Sequence, residues 1–197
     1  MTDATLLKSD PQVAELLRQS AQWRLIALLL SCPRDGWQDE LTALARESAD
    51  EPLQAAADAA LTQAGEGLYH STFGPGGPAP PREISYLRST LSGQFLVDLR
   101  GMYEAFAYQP GNGEPPDHVA VQADFVAYLR LKEAFAHSRG DEEQAAVTAA
   151  AAQRMVEDHL SAIAEPLAQS LAASEIPYLS AAAAALRQRV GPPRHEI

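Results

Sequence analysis

Gly113-Glu114-Pro115-Pro116-Asp117-His118, running directly into Val119 to Lys132, is the stretch that decides the fold. Two adjacent prolines stop whatever precedes them, because proline fixes φ and lacks a backbone donor. Asp117 then caps a new helix, its carboxylate accepting the N–H groups orphaned in the first turn, and His118 falls in that turn. Val121, Phe125 and Leu129 follow at helical spacing and give the helix a buried face. The pattern predicts a helix from Asp117 to about Ala136. An acid and a histidine are thereby held side by side at a loop-to-helix junction. On spacing alone the pair reads as a helix cap beside a satisfied histidine rather than as a binding site.

Working outward, helical periodicity dominates and no alternating strand pattern persists. A first helix starts at Pro11 behind Asp10 and runs through Trp23 to about Ser31. Cys32-Pro33-Arg34-Asp35-Gly36 breaks it. A short helix over Trp37 to Glu47 and a longer one from about Pro52 to Thr72 follow. Phe73 to Pro81 is too rich in Gly and Pro for any helix. Leu91, Phe95, Leu99, Met102 and Phe106 then mark the buried stripe of an amphipathic helix, with Tyr103 beside it. Beyond the Asp117 helix, Ser138 to Asp141 is a turn. An alanine-rich helix runs through Met155 and His159 to about Leu160, and Pro166 kinks or restarts it. A last helix covers Pro177 to Val190, and Gly191 to Ile197 is a frayed tail. The expected architecture is all-α: one domain over residues 1–190, with a hinge loop at about 108–117 and a flexible tail at 191–197.

The 197 residues suffice for one substantial core, and 46% hydrophobic residues argue against disorder. Aromatics are only 7% and alanine is abundant, so closely packed helices form that core. With 15 Lys+Arg against 26 Asp+Glu, the formal charge is -11, which disfavours phosphate backbones and anionic lipid; by itself it reads as solubility, with a cationic peptide partner as the second reading. The single cysteine, Cys32, excludes an internal disulfide and a cysteine metal cluster, and fits a reducing compartment. Met1 to Asp10 lacks the pattern of a signal peptide, and the longest apolar run, Leu25 to Leu30, is too short to span a bilayer. A soluble, cytoplasmic protein is expected.

Few motifs carry chemistry. The Gly74 to Pro81 loop lacks the arrangement of a phosphate cradle and reads as a rigid connector. His70, His118, His137, His159 and His195 form no ligand pair, so no metal is expected. No nucleophile elbow is present. Glu157-Asp158-His159 reads as a solvated helix face with one inward group. Tyr69 and Phe73, four apart, read as core when taken alone.

Taken together, several blocks resemble the TorD/DmsD/NarJ family, cytoplasmic chaperones of molybdenum-cofactor oxidoreductases. Trp23-Arg24-Leu25 stands in the first helix. Tyr69-His70-Ser71-Thr72-Phe73-Gly74-Pro75-Gly76, closed by Pro80-Pro81-Arg82-Glu83, is similar to the family's aromatic block ending in a double proline. Glu114-Pro115-Pro116-Asp117-His118 and Phe125-Val126-Ala127-Tyr128-Leu129 match its Pro-Asp-His helix. Glu157-Asp158-His159-Leu160, followed by Pro166, resembles its late His-Leu segment. Departures from the pattern are Thr72, Arg82, Gln122, Asp124 and Ala162-Ile163. The Pro80 to Ser85 segment looks most like the chaperones of dimethylsulfoxide-reductase type II enzymes.

The resemblance implies an all-helical fold, no catalysis and no cofactor of the chain's own. It implies as partner the catalytic subunit of a molybdopterin guanine dinucleotide oxidoreductase, held open for cofactor insertion and bound by its N-terminal leader, often a twin-arginine signal. Tyr69 and Phe73 would wall a groove for the leader's apolar part. Glu83, Glu114 and Asp117 would offer carboxylates to guanidinium groups. His118, neutral or cationic near neutral pH, would donate to a leader carbonyl. The protein is expected as a monomer, or as a homodimer if the hinge permits domain swapping. The alternatives are a general helical adaptor or a small cofactor-binding protein without leader recognition. A helical transcription regulator would need a basic recognition helix, which is missing.

Overall fold

Val119 opens the helix around which the others are arranged. The computed structural model describes residues 10–87, 92–111 and 113–192. Its helices are α1 (Pro11–Leu29), α2 (Trp37–Ser48), α3 (Glu51–Gln63), α4 (Glu66–Phe73), α5 (Ser92–Ala105), α6 (Val119–Ser138), α7 (Glu142–Arg154), α8 (Ser161–Ala172) and α9 (Pro177–Val190). Leu91 of the expected stripe, His195, the extreme N-terminus and most of the expected tail lie outside the described residues. The fold is all-α. Among the described residues the only extended pairing is one antiparallel bridge, between Arg82 and His118.

The centre is the packing of α6 on α1. Val119, Val121, Phe125, Val126 and Leu129 are fully buried, and so are Leu25, Ile26 and Leu29 on the opposing helix. The expected buried face of α6 is therefore present, and it widens at the N-terminal end until the helix is enclosed on nearly all sides. Such a helix belongs in the middle of a bundle. Helix α2 flanks α1, α7 lies on α6, and α9 packs between α3 and α8. Alanines at 56, 57, 60, 152, 164, 182 and 183 sit where helices approach closely. No helix among the described residues is long and apolar enough to cross a membrane.

The ends of the helices follow elementary capping. Asp10 accepts from the Gln12 N–H at 2.8 Å, Asp50 from Leu53 at 3.0 Å and Asp141 from Gln144 at 3.0 Å. Helix α6 departs from expectation. Its cap is His118, whose Nδ1 accepts from the Ala120 N–H at 3.1 Å, and the first helical residue is Val119. Asp117 does not cap, because its carboxylate is taken by Arg82.

Three further expectations are corrected. The helix expected over Pro52 to Thr72 is two helices, broken where Ala64 and Gly65 turn extended; glycine's weak helix propensity marks the break, and α4 leaves in a new direction. The alanine-rich helix does not stop at Leu160. It continues through one wide π turn, Met155–Leu160, directly into α8, and Pro166 lies inside α8 beyond that irregularity. In α5 the most buried residues are Leu99 and Tyr103, while Phe95, Met102 and Phe106 are half-buried.

Two loops bring the Pro-rich segments together. After α4 the chain doubles back so tightly that a Cβ on Gly74 would lie 2.3 Å from the His70 carbonyl oxygen, and one on Gly77 2.4 Å from that of Thr72. After α5, Ala107 takes a left-handed conformation (φ 56°), and the Phe106 carbonyl accepts from Tyr128 Oη at 2.9 Å and Lys132 Nζ at 3.2 Å. Side chains of α6 thus close the C-terminal end of α5. Phe125 lies under Tyr103, Tyr108 and Phe106, with ring centroids 4.7, 5.0 and 6.1 Å away. Phe125→Ala should destabilise the fold by about 3–5 kcal/mol, read as a lowered urea midpoint at unchanged native helicity.

Candidate functional site

The Pro80-Pro81 and Pro115-Pro116 segments run antiparallel. The Val119 N–H donates to the Pro81 carbonyl at 2.8 Å and the Glu83 N–H to the Asp117 carbonyl at 2.9 Å. Prolines favour extended backbone in the residues before them and so prepare both segments for pairing. This two-rung clasp sets four acidic or imidazole side chains at the entrance of α6: Glu83, Glu114, Asp117 and His118.

Each has a distinct partner. Asp117 is fully buried and receives Arg82: Nε lies 3.0 and 3.2 Å from its two oxygens and Nη2 lies 2.9 Å from Oδ1. The Ile84 N–H adds a longer contact at 3.4 Å. Glu83, also buried, turns inward to Gln122 Nε2 and to His159 Nδ1 at 3.2 Å. Glu114 is half-buried and accepts from the Tyr69 hydroxyl at 3.0 Å. His118 Nε2 lies 3.0 Å from the same hydroxyl.

These contacts fix a proton order. Because Nδ1 of His118 accepts from Ala120, the neutral ring carries its proton on Nε2. Nε2–H donates to Tyr69 Oη, and the Tyr69 hydroxyl donates onward to Glu114. Burial pushes His118 down from its ordinary 6.5 to about 4, against the opposing pull of Glu114 and Asp117. Of the two states expected near neutral pH, only the neutral one is present. Burial, and then the adjacent Glu114 carboxylate, raises the Tyr69 phenol. Burial also raises the Cys32 thiol, with Glu66 and Glu114 adding to it.

All six residues singled out in the sequence thus converge, with the Phe73 ring tilted against Tyr69 at 5.2 Å between centroids. Their setting is mostly interior: Tyr69 and Phe73 are buried, and Glu114 is the carboxylate nearest solvent. Three participants were not among the expected site residues. Arg82, Gln122 and His159 join through tertiary contact, although Arg82 and Gln122 stood out as departures from the family pattern and His159 stood in its late His-Leu segment. Among the described residues no three of His, Cys, Asp and Glu are grouped to hold a metal ion.

The open space lies along α1 instead. An apolar groove of about 810 Å³ runs between α1, α2 and α6, over Leu17, Leu44, Tyr128 and Leu131. Arg24 and Asp124, ion-paired to each other, line this groove and also a smaller cavity of about 220 Å³ that reaches Arg34 and Gly111 in the segment before Glu114. Tyr108 Oη donates to Asp124 at 2.7 Å. The Arg24–Asp124 ion pair stands between the two cavities, and neither is lined by Glu114.

A family model described as nitrate reductase delta subunit matches residues 35–169, about two thirds of the chain. The chain belongs to the nitrate reductase delta subunit family. The matched span holds the whole clasp, from Tyr69 through His118 to His159, whereas α1 and α9 lie outside it. Members of this family are maturation chaperones of molybdoenzymes, the general role expected from the sequence blocks. No curated protein matches the chain.

The depressed His118 makes stability pH-dependent. The unfolded chain binds the proton near pH 6.5 and the folded chain only near 4. The contribution is complete above pH 6.5 and is lost as pH falls toward 4, by about 3 kcal/mol. His118→Asn retains a good cap and removes the titration. The stability gap between wild type and this variant should therefore shrink by about that amount between pH 7 and pH 4 in urea titrations. A constant gap is the contrary result.

Proposed function

We propose that this protein is a cytoplasmic maturation chaperone, without catalysis of its own, that binds the apo catalytic subunit of a molybdopterin guanine dinucleotide oxidoreductase through its N-terminal leader. It holds that subunit competent for cofactor insertion and for assembly or export. The observation that carries this reading is the family match over residues 35–169. The geometry agrees with it in two respects. The groove along α1 and α6 has the dimensions and apolar lining to take a short hydrophobic segment. The formal charge of -11 favours a basic partner.

In this reading the leader's apolar part lies over Leu17, Tyr128 and Leu131, and its basic end points toward Glu114. Tyr69 and His118 hold Glu114 in place, Phe73 backs Tyr69, and Asp117 and Glu83 anchor the clasp beneath. Residues 108–117 form the hinge that adjusts to the client.

The test is capture of partners by the tagged protein from cells grown on alternative electron acceptors, with mass spectrometry of what is bound. A cofactor-free molybdoenzyme catalytic subunit, lost when its leader is deleted, is the expected result. Capture of cofactor-loaded enzyme alone, or of no oxidoreductase, sinks the reading. Leu131 is 49% exposed, so Leu131→Glu should leave stability within about 0.5 kcal/mol. It should weaken capture on the order of tenfold, through lost apolar contact.

A further inference from the structure

We infer that a polar cavity on the side of α1 away from the apolar groove is a binding site for a small zwitterion, a carboxylate carried with N–H donors on one molecule, as in an amino acid or a short peptide. Arg130 holds the carboxylate. The cavity shares no lining residue with the groove, the smaller cavity or the clasp, and the inference does not depend on the function proposed above.

The cavity measures about 690 Å³, a size common among small-molecule sites. Trp23 of α1, Arg130 of α6, Gln153 of α7, Ser161 of α8 and Arg189 of α9 line it. Val156 and Glu157 of the π turn add a further wall, and π turns are frequent at functional positions. The contributions of α1 and α9 fall outside residues 35–169, so much of the lining is not fixed by the family match.

The decisive residue is Arg130. Its side chain is 22% exposed, its Nη1 lies 2.7 Å from Glu133 Oε2, and its buried Nε has no hydrogen-bond partner among the described residues. Arg24, more open at 33%, has both of its edges engaged. It takes Asp124 at Nη1 and a second carboxylate, Glu40, at Nε and Nη2, 2.9 and 2.7 Å away. Arg82 likewise presents Nε and Nη2 to Asp117. The Nε–Nη2 edge is the one that donates two parallel hydrogen bonds to a carboxylate. Arg130 has the end-on carboxylate and, among the described residues, no side-on one, although a buried N–H left without a partner carries its full desolvation penalty.

The other lining groups decide the rest of the ligand. Asp50 is answered by Arg189 at 2.6 Å, and Glu15 is paired with Arg18. Gln153 Nε2 donates to Glu157 at 2.9 Å and Gln19 Nε2 to Glu15 at 3.1 Å. Both glutamines thereby commit their NH2 groups to acids and offer their amide oxygens as acceptors. Three carboxylates around one cavity, at 15, 50 and 157, repel a dianion such as phosphate. Together with the amide oxygens they suit ammonium or amide N–H groups. A molecule with one carboxylate and N–H donors matches both halves of the lining.

The probes are triglycine, its C-terminal amide, glycine and inorganic phosphate. In wild type, millimolar triglycine or glycine should raise the unfolding midpoint and shift the Arg130 Nε–H proton resonance, and the amide and phosphate should do neither. Arg130→Lys keeps a cation beside Glu133 and removes the side-on edge. It should bind the responding acid on the order of tenfold more weakly. If that variant does not fold, the wild-type resonance, compared between acid and amide, reads the same contact. A response to either acid upholds the site; triglycine alone assigns it to a peptide end, and glycine alone to a free amino acid. No response to either acid, equal binding of acid and amide, an unmoved Arg130 resonance, undiminished affinity in Arg130→Lys, or binding of phosphate in place of the acids overturns it.

Discussion

Two backbone hydrogen bonds, between residues 81–83 and 117–119, hold the functional end of this molecule together. They join segments that α5 and its flanking loops separate, and they do so where prolines have already removed most of the conformational choice. The clasp aligns the entrance of α6 with the exit of the Gly-Pro loop. From that alignment follow the position of His118 as cap, the burial of Asp117 beside Arg82, and the reach of Glu83 to the π turn that carries His159.

A chain of this acidity keeps most of its carboxylates in water. Asp117 and Glu83 are exceptions, and each is matched by a cation or donors specific to it. Burial without such matching is prohibitive, so these residues define one arrangement of the two loops rather than adding much net stability. Glu114 stands at the border between that interior network and solvent. The groove along α1 is apolar and open, and the clasp is polar and mostly closed. The Arg24–Asp124 ion pair borders the groove and the smaller cavity beside it.

Much of this was legible in the chain itself. The helix after Pro116 declares itself through Val121, Phe125 and Leu129, and the Gly-Pro loop through its composition. The convergence of Tyr69, Phe73, Glu83, Glu114, Asp117 and His118 was legible only through family resemblance, since they come from three separate segments. What escaped has physical reasons. A single glycine at 65 is tolerated in many helices, so periodicity runs across the break. A π turn inserts no characteristic residue, and Met155 to Leu160 reads as ordinary helix. Asp117 is the better intrinsic cap, yet Arg82, 35 positions away, claims its carboxylate, and His118 caps by default. Exposure of the paired aromatics is likewise a tertiary property, set by what packs over them.

The central pairing of α1 with α6 carries a cost in time. About 90 residues separate the end of α1 from the start of α6. At ordinary rates of synthesis, about 5–20 residues per second, the apolar run Leu25 to Leu30 emerges roughly 5–20 seconds before the helix that will cover it. A protein whose proposed role is to shield another chain's unfinished segment must itself pass through a stage in which its own apolar run in α1 has no permanent cover.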